Sequence, residues 1–116
     1  MTIDIEKIRE YREKMNDRIL SEDSISIKRF INLDHNVYST GAIEAKNKEL
    51  MGLVASTVLR CNDCIFYHID RAIAEGASSD ELIETLNIAL IVGGSIVIPH
   101  LRFAFETIDA IVSEST

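Results

Sequence analysis

The chain has 116 residues, of which 47% are apolar and 6% aromatic, and its formal net charge is −7. That length suits one domain, and the apolar fraction excludes a disordered chain. The acidic balance leaves no basic face for nucleic-acid phosphates or an anionic membrane surface, so neither is expected as a partner.

Five Gly, one Pro and no Trp point to helices rather than strands. The first predicted helix covers residues 3–20, with Ile8, Tyr11, Met15 and Ile19 as an apolar stripe. The N-terminal segment lacks the basic and apolar regions of an export signal, so a cytoplasmic location is expected. Ser21-Glu22-Asp23-Ser24 breaks the first helix, and a second follows over 25–38 on Ile27, Phe30, Ile31 and Val37. After a turn at Ser39-Thr40-Gly41, a third covers 44–59, striped by Leu50, Leu53, Val54, Thr57 and Val58.

The fourth helix begins near Cys61 and stops at Gly76, which adopts a left-handed C-cap cheaply. Ser78-Ser79-Asp80-Glu81 reads as a capping box opening the fifth, which Gly93-Gly94 ends or bends. The last helix covers 95–112, with Pro99 tolerable only near its start. The apolar stretch 86–101 is too short and too interrupted to span a bilayer, and predicts a buried helix pair or a subunit interface. The expected architecture is a single all-α domain over 1–116, a bundle of about six helices. Residues 1–40 form its N-terminal helices and 41–112 its motif-bearing core.

Cys61, Cys64 and His68 are the residues with chemistry. Spaced three and four apart, they fall within about one sixth of a helix circumference. Ile65, Ile69 and Ala72 continue that stripe toward neighbouring helices, away from Asp63 and Asp70. A thiolate is the reactive form of cysteine, with a free-thiol pKa near ~8.5, and a helix N-terminus stabilises it. An imidazole one turn on can take or return the proton, and a second thiol can resolve a sulfenic acid or mixed disulfide. Two other readings stay open. The cysteines can be core residues of a structural oligomer, or Cys61, Cys64 and His68 can be three metal ligands completed by His35, His100 or a carboxylate.

The pattern Glu49, Cys61-x-x-Cys64-x-x-x-His68 resembles the alkylhydroperoxidase D branch of the carboxymuconolactone decarboxylase family. Lys48-Glu49-Leu50, Glu75-Gly76-Ala77 and Gly93-Gly94-Ser95 extend the likeness, which covers about 42–111. The resemblance implies an alkylhydroperoxidase D-like all-α fold in obligate homo-oligomers, trimers or hexamers. Longer members carry two helical halves, so a one-half chain is expected to complete its core by association. The resemblance implies a peroxiredoxin-type oxidoreductase, a thiol peroxidase or disulfide oxidoreductase serving an antioxidant role. Its substrate would be a hydroperoxide or disulfide, and a dithiol would be its reductant. Cys61 and Cys64 would cycle between dithiol and disulfide, with Glu49 and His68 as proton relay and without haem, flavin or metal. The decarboxylase branch, an acid–base alternative, generally lacks the cysteine pair. One position departs from the pattern: Asp63 stands where peroxidases of the family carry His. A carboxylate there opposes the thiolate, which keeps disulfide reductase beside peroxidase.

Glu49 shares a helix side with Leu53 and Ser56, and Gly52 permits close packing, so its carboxylate is expected to face the fourth helix. His100 reads as a hydrogen-bonded core or interface residue and His35 as a surface residue. Tyr67 suits either packing or a pocket wall.

Overall fold

The computed structural model describes residues 3–114; Met1 and Thr2, at the head of the segment read for an export signal, lie outside it. Among the described residues the fold is all-α, with six α-helices, one 3-10 turn and no strand. The chain divides into two compact units, residues 1–39 and 40–116.

The first unit holds α1 (Ile5–Leu20) and α2 (Ile25–Tyr38). Local chemistry begins each. Asp4 accepts from the Lys7 amide at 3.1 Å, and Ser24 from the Ile27 amide at 3.4 Å. Each cap satisfies an N–H that has no partner inside its helix. Arg18–Glu22 at 2.6 Å adds an (i, i+4) ion pair across the end of α1. The apolar stripes are shallow here. Ile8, Met15, Ile27 and Ile31 are half-buried, whereas Tyr11, Ile19, Phe30 and Val37 are exposed.

The second unit contains α3 (Ala45–Val58), α4 (Asn62–Ala74), α5 (Ser79–Gly93), a 3-10 turn (Ser95–Val97) and α6 (Ile98–Glu114). Helix α3 packs against both α4 and α5, and α4 packs also against α6. Leu53, Ile65, Phe66, Ile69, Leu82, Leu86 and Val97 are fully buried between them. Each such side chain contributes about 1.5–3 kcal/mol by leaving water. Buried threonines satisfy their hydroxyls on their own helices, Thr57 on the Leu53 carbonyl at 2.7 Å and Thr107 on that of Phe103 at 2.9 Å.

Two local expectations shift. The last predicted helix is divided: its first turn is the 3-10 segment, and α6 starts at Ile98. Pro99 thus falls in the first turn, where no backbone N–H is needed. On α3 the stripe read from Leu50, Val54 and Val58 is only half-buried. The buried face runs instead through Glu49, Gly52, Leu53, Ser56 and Thr57. Small side chains there admit a neighbouring helix more closely than a row of large apolar ones would. Within 86–101, Leu86, Ala89 and Val97 are buried, while Ile88, Ile91, Val92 and Ile96 are exposed. Among the described residues no helix is long and apolar enough to cross a membrane.

Candidate functional site

The site begins with the tight corner between α3 and α4. Helix α3 ends in a Schellman motif: the Arg60 amide donates to the Thr57 carbonyl and the Cys61 amide to that of Ser56, both at 3.0 Å. Arg60 is the left-handed residue of the motif, with φ of 62°. Helix α4 ends in the same motif, but there the left-handed residue is Gly76, φ 96°, the residue type that takes this conformation without strain. The corner delivers Cys61 directly to the N-cap of α4. Its Sγ accepts from the Cys64 amide at 3.3 Å. Cys61 therefore stands just outside the helix that the sequence reading has it open, and it serves as the cap.

Neither cysteine is in a disulfide, and both are half-buried. Below them along α4, Ile65, Ile69 and Ala72 are buried, as the stripe predicts. Asp63 is exposed, and Asp70 is half-buried rather than fully solvated.

His68 and Glu49 meet in the interior. His68 Nδ1 lies 2.9 Å from Glu49 Oε1, and the two residues are 9% and 4% exposed. A carboxylate can only accept, so Nδ1 carries the proton in this contact. Burial makes this pairing strict, because an isolated carboxylate in an apolar interior is costly. Gly52 makes room for the ring: a Cβ at this position would stand 2.5 Å from His68 Cε1 and 2.8 Å from either ring nitrogen. Tyr67 sets its ring edge-on to the same imidazole, with centroids 5.3 Å apart.

Of the four residues expected to act together, the structure joins Glu49 to His68 across α3 and α4. It sets Cys61 at the N-cap and Cys64 in the first turn of the helix that carries His68. His35 is exposed on α2. His100 is half-buried on α6, and its Nδ1 lies 2.7 Å from Oδ1 of Asn62, the residue following Cys61. Sequence reasoning passed over Asn62, and it read Gly52 as permitting close packing without placing the His68 ring against it. Gly52 carried a signal, as the only glycine inside the third predicted helix, whereas nothing local pointed from Asn62 to a residue 38 positions away. Among the described residues, no three His, Cys, Asp or Glu side chains cluster in a way that could hold a metal ion.

Comparison with known proteins covers most of the chain. The profile described as Carboxymuconolactone decarboxylase family matches residues 27–107, from within α2 into α6. A Thermotoga maritima protein solved by crystallography is 53% identical, with a TM-score of 0.91 over 94% of this chain and 96% of that one. A second Thermotoga maritima structure, 52% identical with a TM-score of 0.89, spans 94% of this chain and 92% of its own. It is a carboxymuconolactone decarboxylase family protein for which a part in the antioxidative response has been suggested. A Legionella pneumophila family member shares the fold at 24% identity, with a TM-score of 0.83 over 90% of this chain and 94% of its own. Uncharacterized protein 4 of the cox locus of Paracoccus denitrificans is 27% identical over 82 residues, 71% of this chain and 74% of that protein.

Proposed function

The chain belongs to the carboxymuconolactone decarboxylase family, and on that premise we propose that it is a thiol-dependent peroxidase or disulfide oxidoreductase. Cys61, Cys64, His68 and Glu49 carry the reaction. The observation that carries this reading is the buried pair of Glu49 on α3 with His68 on α4, the helix whose N-terminus bears the half-buried dithiol. A cysteine pair alone is compatible with simple packing. A histidine whose tautomer is fixed by a buried carboxylate has the form of a general base or acid.

With a hydroperoxide, one thiol gives its proton to His68 Nε2, directly or through water, and the thiolate attacks the terminal peroxide oxygen. The O–O bond breaks, a sulfenic acid forms, and the alcohol leaves with the proton returned by His68. The second thiol attacks the sulfenic sulfur, forming the Cys61–Cys64 disulfide and releasing water. Two exchanges with an external dithiol restore both thiols and oxidise that dithiol to its disulfide. With a disulfide substrate, the sequence starts from thiolate attack on sulfur instead. Glu49, accepting from Nδ1, orients the ring and stabilises the imidazolium. Such chemistry suits a reducing cytoplasm. The antioxidative role suggested for the Thermotoga maritima relative supports this reading. The exposed Ile88, Ile91, Val92 and Ile96 support association into a homo-oligomer, for which the family resemblance implies a trimer or hexamer. Light scattering on the eluting protein measures that state, and a monomeric mass would refute it.

The test supplies a hydroperoxide and a dithiol and follows peroxide loss. Cys61→Ser and Cys64→Ser each abolish turnover, and Glu49→Gln lowers it on the order of 100-fold. Serine variants that turn over at the parental rate would sink the reading. An acid–base activity surviving in both would favour the decarboxylase branch.

A further inference from the structure

Asn62 is exposed and stands between the two sequence neighbours Cys61 and Asp63, yet its side chain is tied to another helix. His100 Nδ1, in the first turn of α6, lies 2.7 Å from Asn62 Oδ1. An amide oxygen accepts, so Nδ1 donates. We infer that His100 is a positioning residue that holds the first turn of α4 in its dithiol arrangement and so sets the balance between dithiol and disulfide. This rests on the proposed redox role of Cys61 and Cys64.

In the dithiol, Cys61 Sγ caps α4 by accepting the Cys64 amide. Forming the disulfide draws that sulfur toward Cys64 Sγ and so changes its geometry against the Cys64 amide. The first turn of α4 adjusts to that change. Asn62 is the first helical residue of that turn, so its backbone torsions carry the adjustment. A hydrogen bond from α6 that fixes its side chain opposes the movement and favours the reduced form. In exchange with glutathione disulfide, two S–H bonds break and one S–S bond forms in the protein. The two electrons and two protons released convert one glutathione disulfide to two thiols.

The experiment equilibrates the purified protein in glutathione redox buffers and counts free thiols by alkylation. His100→Phe keeps the ring volume and removes the donor, Asn62→Ala removes the acceptor, and His100→Asn restores a donor near the Nδ1 position. Each of the first two shifts the equilibrium about fivefold toward disulfide, the worth of one neutral hydrogen bond, or about 20 mV. The double variant shifts no further, and His100→Asn stays within about twofold of the parent. Asn62→Ala changes an exposed side chain and keeps the test valid should His100→Phe unfold. Parental ratios in Asn62→Ala and folded His100→Phe overturn the inference, as does an additive double variant or a His100→Asn that behaves like His100→Phe. A parent protein that forms no reversible disulfide overturns the redox role itself, and this inference with it.

Discussion

The two units of this chain are both helical, but for different reasons. In residues 1–39 the helices rest on caps and side-chain pairs within one or two turns, and among the described residues only Ile5 is buried there. Every other buried hydrophobic among the described residues lies in the second unit, where α3, α4, α5 and α6 share one core. The chemistry follows the core. A carboxylate and an imidazole can be held 2.9 Å apart only where both backbones are fixed by packing. Local rules suffice to make a helix; placing two side chains from separate helices against each other takes a shared interior.

The contrast can be broken first by matched truncations. Phe66 is 2% exposed and Phe30 is 69% exposed. In urea unfolding, Phe66→Ala is expected to lose about 3–5 kcal/mol, and Phe30→Ala to stay within about 0.5 kcal/mol. A comparable loss from Phe30→Ala would mean that α2 is covered in solution, and the contrast would fall. Next comes Gly52→Ala, which drives a methyl into the His68 ring. The expected cost is about 1–3 kcal/mol of stability and roughly a hundredfold in turnover, because the imidazole is displaced. A fully active variant would show that the ring needs no fixed seat.

Smaller effects test local features inside the second unit. Arg60→Gly relieves a left-handed residue costing about 1–2 kcal/mol but enlarges the unfolded ensemble by about 0.4–1 kcal/mol. The net expectation is a gain of roughly 0–1.6 kcal/mol, read as a higher urea midpoint. The smallest effect is electrostatic. Glu81 accepts from Lys46 at 2.8 Å and from the Ser78 amide at 2.9 Å. The Lys46 ammonium, then the Ser78 amide, lower the Glu81 pKa, and Glu81 raises that of Lys46. The unfolded chain therefore takes up the Glu81 proton first as pH falls. Its stabilisation is present above the ordinary carboxylate range and is lost as pH drops through the lowered folded value. The Lys46 share is present below its ordinary value and lost as pH rises through the raised one. Stability of Glu81→Gln, followed by urea midpoint against pH, should fall less steeply on the acid side.

Much of this protein was legible in its residues. Periodicity located six helical segments, with α2 bounded as read at 25–38, because period and caps are local properties. The Ser78–Glu81 capping box is present as read. The spacing of Cys61, Cys64 and His68 put them on one stripe, and Glu49 was read as facing the fourth helix because it shares a side with Leu53 and Ser56 and Gly52 permits close packing. What sequence could not supply was distance between helices. That Gly52 seats the His68 ring, that the buried face of α3 is polar and small, and that His100 reaches Asn62 all depend on how α3, α4 and α6 cross. Local sequence sets which way a side chain points along its own helix. Only the packed core, by fixing separate helices in space, decides which side chain it meets.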